Sequence, residues 1–300
     1  MSTEPGVEYF NTMGNDVHTL LDQIEELPPL PAVAAKVMAM ADDDNCSALD
    51  LAQVLSADQA LTAKMIKISN SAYYGFARKV STVREAVVVL GFKQVQQLAV
   101  TTSLMNAWSQ RPSKDEAFNM DLFWGHTVAV AIAAESIAKK SRVARPEDGF
   151  TAGILHDIGR LVLKMTMPDA FHEAVLLARE GTPLHQAELA CTGYDHQVIG
   201  KALGEGWKFP GHLVDAVACH HDQRQTPAED GLAGVVAQAD RLILHYGLYC
   251  GYDLEGDVPP MPGDLARWEE ACGGIDRVLE RSFAFIESAS GKPQRWFEAA

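Results

Sequence analysis

Several features that define whole classes of proteins are missing from this chain. No apolar run reaches the roughly 18 residues that a membrane-spanning helix needs, and the N-terminus lacks the basic-then-apolar pattern of a signal peptide. No basic run or arginine stripe is present, and 40 acidic against 25 basic residues give a formal net charge of -15. Because this charge repels a phosphate backbone, we predict that the protein does not bind nucleic acid directly. The missing membrane span and signal peptide predict a cytoplasmic protein that does not bind membranes.

Cysteine is scarce and widely spaced, which argues against a disulfide framework. The five cysteines show no CxxC spacing, and their odd number leaves one unpaired in any full disulfide scheme; they are Cys46, Cys191, Cys219, Cys250 and Cys272. Cys219 precedes a double histidine, but free cysteines are among the most buried residue types. We interpret all five as reduced thiols with a structural role.

Alternation of period two, which is typical of strands, is not sustained anywhere, whereas helical spacing of apolar residues recurs along the chain. With 47% hydrophobic and 22% charged residues the composition is that of a folded globular protein, so we predict an all-α fold. The expected order is an N-terminal extension (1–20), an N-terminal helical bundle (21–112), a second helical bundle (113–250) and a C-terminal helical tail (251–300). The polar segment 112–116 is the predicted junction between the bundles.

Capping residues predict where helices of the N-terminal bundle begin and end. Ser47, with Asp50 three residues later, predicts one helix start, and Ser81 predicts another. Gly91 is typical of a helix end, after which helical spacing resumes.

Longer helices are predicted in the second bundle and the tail. The run Val128–Ala134 is apolar almost all round, which predicts a central helix at about 120–140. One helix is also expected at about 170–190, a final helical stretch is expected at about 263–288, and one further helix is expected to carry both members of the pair His220-His221.

The stretch Gly153–Leu163 places His156 and Asp157 side by side among apolar residues. An ionised carboxylate buried there costs several kcal/mol or more unless a partner neutralises it. Further histidines and one aspartate stand in similar surroundings, and with this pair they form a candidate ligand set: His126, His156, Asp157, His196, His220, His221 and Asp240. Imidazole and carboxylate suit divalent manganese, iron or zinc, so we predict one dispersed site with one or two ions per chain.

Two points qualify this prediction. On one helix His156 and Asp157 would diverge by about 100 degrees, so they can share a metal only if a nearby helix end turns both side chains inward. A lone histidine on an apolar face is also more often a hydrogen-bonded core residue than a ligand. We interpret five histidines in that way: His18, His172, His185, His212 and His245.

Short motifs in the first half are the most specific signal in the sequence. They read Leu27-Pro-Pro-Leu-Pro31, Ala60-Leu-Thr-Ala-Lys64, Ser69-Asn-Ser-Ala72 and Ala86-Val-Val-Val-Leu-Gly91. These motifs closely resemble the signature of the HDOD module, a bacterial relative of the HD metal-dependent phosphohydrolases. The second half resembles the HD core in the order of its histidines and aspartates, an order also seen in the HD-GYP branch. The resemblance implies an HDOD domain at 21–250, with an HD-like metal-binding subdomain at 113–250.

The resemblance also implies how the candidate ligands divide between two ions. One ion is expected on His126, His156, Asp157 and Asp240, and the second on Asp157, His196, His220 and His221. Asp157 is then the bridge. Many HDOD modules lack part of this set, so its completeness here favours retained metal binding.

Three departures separate the chain from the HD-GYP enzymes. The Gly-Tyr-Pro motif expected after the double histidine is missing, with Asp222–Asp230 in its place. Arg160 stands where cyclic-di-GMP hydrolases of that branch carry a lysine, and Leu122 where some carry a glutamate. Arginine can bind a phosphate as an always-charged fork but does not donate a proton. We therefore expect no cyclic-di-GMP hydrolysis, while Asp157 and Arg160 are the candidate catalytic residues for another phosphoester.

The sequence is consistent with two functional hypotheses. The first is a bacterial signalling output module that binds metal and a small ligand and contacts a partner protein through its N-terminal bundle. The second is a metal-dependent phosphohydrolase acting on a nucleotide or other phosphoester, in which a metal-bound water of lowered pKa attacks phosphorus. Both use the same site, and they differ in turnover.

Overall fold

The computed structural model describes residues 30–40, 46–71, 74–75, 78–109, 117–221, 227–252 and 261–290. All regular secondary structure in these ranges is helical, which confirms the predicted all-α fold. Six predicted features lie wholly or partly outside the described residues: the extension at 1–20, the motif Leu27–Pro31, the motif Ser69–Ala72, the junction at 112–116, the segment Asp222–Asp230 and the tail at 251–300.

Capping side chains define helix starts in the N-terminal bundle. Its helices are α1 (Ala32–Ala39), α2 (Ala48–Ser56), α3 (Gln59–Ser69), α4 (Val83–Leu90) and α5 (Phe92–Ser109). Ser47 and Asp50 form the predicted capping box at the start of α2. The prediction of Ser81 as a cap was wrong by one residue, because Thr82 Oγ1 accepts the Glu85 N–H at 3.1 Å. Ser81 instead donates its own N–H to Glu85 Oε2 at 2.7 Å, so both residues contribute to the same turn.

The predicted helix at 170–190 and the predicted helical stretch at 263–288 each contain two helices. The remaining helices are α6 (Met120–Ser141), α7 (Pro146–Leu155), α8 (Ile158–Thr166), α9 (Pro168–Arg179), α10 (Leu184–Thr192), α11 (His196–Gly206), α12 (Gly211–Cys219), α13 (Pro227–His245), α14 (Gly263–Cys272) and α15 (Ile275–Ser290). The expected helical structure at 170–190 and 263–288 is interrupted after Arg179 and after Cys272. Gly181 and Gly273 lie at these breaks with φ angles of +102° and +78°, which glycine adopts without steric cost.

Helix α6 is the centre of the second bundle, as its apolar sequence predicted. Residues 122–134 are all buried, and the helix packs against α7, α13, α14 and α15. Since neighbours surround this helix, a polar side chain on it faces other helices instead of solvent. This places His126 in the interior of the protein.

The two bundles share one continuous apolar core. Helix α15 packs against both α3 and α6, so the predicted C-terminal tail spans the boundary between the bundles. Polar contacts reinforce it: Gln97 on α5 donates to the Glu147 carbonyl on α7 at 3.1 Å, and Gln94 donates to Glu135 Oε1 on α6 at 3.0 Å. None of the described helices combines the length and apolar composition needed to cross a lipid bilayer.

Candidate metal centre

A break between two helices brings His156 and Asp157 to the same point. Helix α7 ends at Leu155, His156 caps it, and Asp157 precedes α8 with φ -102° and ψ 8°, which are not helical angles. As a result His156 Nε2 and Asp157 Oδ2 lie 3.2 Å apart. The helix end that the sequence argument required is therefore present.

Four other elements supply the remaining predicted ligands. His126 lies on α6, His196 is the first residue of α11 and Asp240 lies on α13. His220 and His221 were predicted on a helix, but they follow the end of α12. At a helix end the last carbonyls lack intrahelical partners, and the ring of His220 takes one of them. The centroids of the His220 and His221 rings then lie 4.3 Å apart, and the angle between the ring planes is 47°.

The first side of the candidate centre consists of His126, His156 and Asp240 with the Oδ2 atom of Asp157. His126 Nε2 lies 3.1 Å from Asp240 Oδ1, 3.3 Å from His156 Nε2 and 3.6 Å from Asp157 Oδ2. All four residues are buried. The ligand atoms of His126, His156 and Asp157 converge closely enough to coordinate one ion, and Asp240 adjoins this group through His126.

The second side consists of His196, His220 and His221 with the Oδ1 atom of Asp157. Asp157 Oδ1 lies 3.1 Å from His196 Nε2 and 3.8 Å from His220 Nε2. One ligand atom from each of these four residues falls within 4.8 Å of the others. The His221 side chain is 16% exposed, so this side borders the solvent.

Hydrogen bonds to Nδ1 set the tautomers of four imidazoles. His126 donates to the Leu248 carbonyl, His156 to the Gly153 carbonyl and His220 to the Val217 carbonyl, at 2.7, 2.7 and 2.8 Å. A carbonyl oxygen can only accept, so the proton of each neutral ring is on Nδ1. His196 Nδ1 likewise contacts a carboxylate, described below. In all four rings Nε2 then carries a lone pair that faces the centre.

This arrangement of lone pairs fits a bound cation. The Nε2 atoms of His196 and His220 are 3.1 Å apart, and with both protons on Nδ1 neither nitrogen can donate to the other. Asp157 Oδ1 is buried without a hydrogen-bond partner, although buried polar atoms are nearly always satisfied. Neutral imidazoles and carboxylates facing one another in this way are the ligands of divalent iron, manganese and zinc.

The protonation states follow from burial and charge. Burial and the Arg160 guanidinium hold the pKa of His196 well below its ordinary value, and burial with His220 does the same for His221. Burial opposes ionisation of Asp157, but Arg160 and His156 outweigh it and keep the pKa of that carboxyl well below its usual range. Unprotonated imidazoles and an ionised carboxylate are the forms that bind metal.

Glu188 is a residue of this region that the sequence argument missed. It lies on α10, is fully buried, and accepts from the backbone N–H of His196 at 3.0 Å and from His196 Nδ1 at 2.5 Å. Its other oxygen accepts from Arg160 Nε at 2.8 Å. Burial raises the pKa of Glu188, and the Arg160 cation opposes that rise.

Arg160 is held inside the protein by two carboxylates. Its Nη1 contacts Asp157 Oδ2 while its Nε contacts Glu188, and the residue is 5% exposed. Cys250, interpreted from sequence as a structural thiol, is buried close to Asp157 and Arg160, and burial raises the pKa of its thiol well above the ordinary value. The catalytic roles of Asp157 and Arg160 stay predictions.

Close backbone approach at Gly159 helps to bring the second side together. A Cβ added there would lie 2.1 Å from the His196 carbonyl oxygen and 2.9 Å from the Gly200 nitrogen. Helices α8 and α11 can therefore pack at this distance only with glycine at position 159. The contact keeps His196 next to Asp157.

The other histidines differ in their relation to the centre. His185 was interpreted as a core residue, yet its ring stacks on His221 with centroids 4.5 Å apart and an angle of 18° between the planes. His172, His212 and His245 belong to neither ligand group, and His18 lies outside the described residues. His185 is thus a neighbour of the second side.

Comparison with known proteins gives one family and several relatives. Residues 27–223 match the family model of the HDOD domain. The crystal structure of a candidate phosphohydrolase from Shewanella amazonensis SB2B is 26% identical, with 90% of this chain and 97% of that chain covered and a TM-score of 0.67. An HDOD domain protein of unknown function from Geobacter sulfurreducens is 23% identical over 94% of this chain and 97% of that chain, with a TM-score of 0.73.

A curated relative is longer than this chain. An uncharacterized protein of Treponema pallidum (strain Nichols) is 23% identical over 244 residues, which are 80% of this chain. The chain spans 45% of the length of that protein. The two solved structures share the helical fold described above.

Proposed function

Because the chain belongs to the HDOD family, we propose that it works as a metal-binding signal-transduction module in the bacterial cytoplasm. The observation that carries the proposal is that buried imidazoles and carboxylates converge in two adjoining groups that share Asp157, with Asp240 in contact with His126 of the first group. Such a set is costly in a helical core unless a cation neutralises it. If these residues served packing alone, apolar residues at the same positions would make the domain more stable.

The proposed metal binding involves both sides of the centre. The first side would hold one divalent ion and the second side another, with Asp157 contributing one oxygen to each. Iron, manganese and zinc all accept this mixture of nitrogen and oxygen ligands. The hydrogen bonds on Nδ1 orient the rings before any ion binds, so little conformational entropy is lost on binding.

The partner protein is proposed to bind the N-terminal bundle at helix α4. Val88 and Val89 are 77% and 48% exposed there, beside a groove of about 360 Å³. Three basic residues, Arg78, Lys79 and Arg84, line the same groove with one acidic residue, Glu85, in a chain whose formal net charge is -15. An apolar ridge with a cationic rim complements an acidic segment that carries a small apolar side chain, so the proposed partner is of that kind.

Photo-cross-linking tests the partner proposal. A photoreactive amino acid at Val88 in the native host, with exposed Val143 in the second bundle as the control position, should give an adduct from position 88 alone. The linked peptide should be acidic, and Arg84→Glu should weaken binding of the purified partner. Adducts of equal yield at both positions, or an adduct between two copies of this chain, would exclude the proposed surface.

Metal analysis tests the proposed function itself. Protein purified without oxygen should contain between one and two equivalents of iron, manganese or zinc, and Asp157→Ala should contain almost none. Asp215→Ala, which changes an exposed aspartate on α12, is the control and should retain the metal. Absence of bound metal from the wild-type protein would contradict the proposal.

A second candidate function is hydrolysis of a phosphoester or nucleotide. It is favoured by the solvent border of the second side, where His221 and the half-buried His185 stack, and by the name of the Shewanella relative. Bound divalent ions would lower the pKa of a coordinated water and neutralise phosphoryl charge. The protein's own contribution would be to hold Asp157 ionised and to offer the stacked imidazoles of His185 and His221 beside the second side. A screen of phosphoesters with metal-loaded wild type and Asp157→Ala separates the two functions, because only an enzyme shows turnover that the substitution removes.

A further inference from the structure

Glu188 makes more contacts than a packing or capping role requires. Its Oε2 accepts from both the backbone N–H and Nδ1 of His196, and its Oε1 accepts from Arg160 Nε, all without exposure to solvent. The start of α11 already has a cap, since Asp195 accepts the Val198 N–H at 2.9 Å. The contact with Nδ1 therefore serves the imidazole ring and not the helix.

The side chain of His196 differs from the other three central imidazoles in how it is held. Those rings donate Nδ1–H to carbonyls of the protein backbone. His196 donates to a carboxylate on a different helix, so its orientation depends on a single side chain. A carboxylate acceptor also makes the imidazole more basic at Nε2 than a carbonyl does.

We infer that Glu188 is the positioning residue of the second side. Its carboxylate keeps the proton of His196 on Nδ1, so that Nε2 presents its lone pair to Asp157 Oδ1 and to His220. The same carboxylate orients Arg160 so that the guanidinium reaches Asp157 Oδ2. One buried acid on α10 thereby arranges two of the groups that contact the predicted bridging carboxylate.

This inference rests on the proposed function only where metal affinity is concerned. Removal of an outer partner of a metal-bound histidine typically lowers metal affinity by about 10–100-fold. The tautomer of His196 is a property of the metal-free protein and can be measured in the presence of a chelator. The two measurements can therefore fail independently.

Nitrogen NMR of histidine-labelled, chelator-treated protein is the first test. In the wild type the His196 signals, assigned by their loss in His196→Asn, should report the Nδ1–H tautomer. Glu188→Ala should give a mixture of tautomers, whereas Glu188→Gln should retain Nδ1–H because an amide oxygen can still accept. Gln186→Ala, which changes an exposed residue on the same helix, should leave the tautomer unchanged.

Competition with a chelator for metal is the second test. Glu188→Ala should lower the affinity for one metal equivalent by about 10–100-fold. Glu188→Gln should lower this affinity by less, and Gln186→Ala should leave it unchanged. If circular dichroism shows that Glu188→Ala has lost helix, Glu188→Met replaces it, because methionine keeps the volume and removes both oxygens.

Two results would overturn the inference. One is an unchanged Nδ1–H tautomer of His196 in the folded variant without a side-chain oxygen at 188. The other is an equal loss of metal affinity in Glu188→Gln and Glu188→Ala, which would indicate a role of charge alone. Wild-type protein that binds no metal while its tautomer depends on Glu188 would instead refute the proposed function and support the inference.

Discussion

The two sides of the candidate metal centre hold their imidazoles in different ways. On the first side, His126 and His156 are buried and both donate Nδ1–H to backbone carbonyls. On the second side, His196 depends on the Glu188 carboxylate, and His221 is partly exposed and stacked on His185. Both imidazoles of the first side are thus held by backbone carbonyls, whereas on the second side only His220 is held in that way and His196 depends on a buried side chain.

This difference predicts that the two sides respond differently to substitution. A ring held by a backbone carbonyl keeps its acceptor when a neighbouring side chain is replaced, whereas His196 loses its acceptor when Glu188 is replaced. The second side also carries His221, whose side chain is 16% exposed. Asp157 joins the two sides, since Oδ2 faces the first and Oδ1 the second.

The largest expected effect is that of removing the shared carboxylate. Asp157→Ala should reduce metal binding on both sides, by about 100-fold or more, because loss of a direct ligand exceeds the loss typical of an outer partner. Asp157→Asn is the milder variant, since it keeps a side-chain oxygen near Arg160. Elemental analysis after gel filtration measures both, with Asp215→Ala as the control; full occupancy in Asp157→Ala would remove the bridging role.

Substitution of one imidazole should distinguish the sides. We expect His126→Ala to lose one metal equivalent and His196→Ala to lose another, with the double variant losing both. Exposed His212→Ala should lose neither. The measurement is titration of chelator-treated protein with a divalent metal. If either single substitution abolished all binding, the centre would hold one shared ion and the two sides would not be separate sites.

The sequence identified the histidines and aspartates that converge in the structure better than the residues that hold them in place. His156, Asp157 and Asp240 could be recognised because a histidine or aspartate inside an apolar run is expensive and needs a partner. Glu188 stands in a stretch of mixed polarity, Leu184–Thr192, where a glutamate is ordinarily a solvated residue. Only the packing of α10 against the rest of the bundle buries it, and no local pattern encodes that packing.

Helix boundaries show the same limit. Apolar periodicity predicted the central helix α6 and the all-helical fold, because burial on many sides requires apolar residues at every position. It did not predict that α7 ends directly before His156 or that α12 ends before His220. In both cases the ring takes a carbonyl left free at the helix end, a contact that depends on side-chain geometry.

Acid should destabilise the metal-free protein through the second side. The pKa values of His196 and His221 are lowered well below the 6.5 of an unfolded histidine, so below that pH the unfolded state binds protons that the folded state does not. The free energy of unfolding should therefore fall with decreasing pH, by about 1.4 kcal/mol per pH unit for each such histidine. Urea unfolding between pH 7 and about pH 5 measures it. In His196→Asn the free energy of unfolding should depend less steeply on pH than in the wild type. In His212→Asn, which changes an exposed histidine, the slope should equal that of the wild type. Equal slopes in the wild type and His196→Asn would contradict the prediction.

The smallest expected effect concerns cyclic di-GMP, for which we predict no hydrolysis above the Asp157→Ala background. The Gly-Tyr-Pro motif is absent from the sequence, and the Arg160 guanidinium contacts Asp157 and Glu188 inside the protein, so it is not directed to a substrate phosphate. Binding energy from remote parts of a substrate is what holds the phosphorus in line with an attacking water. Without this binding energy, metal-loaded protein should give at most slow turnover of a small chromogenic phosphodiester.

The measurement is chromatography of reactions with both substrates, using wild type and Asp157→Ala. Rapid metal-dependent turnover of cyclic di-GMP that the substitution abolishes would show that the two sides act together as an enzyme.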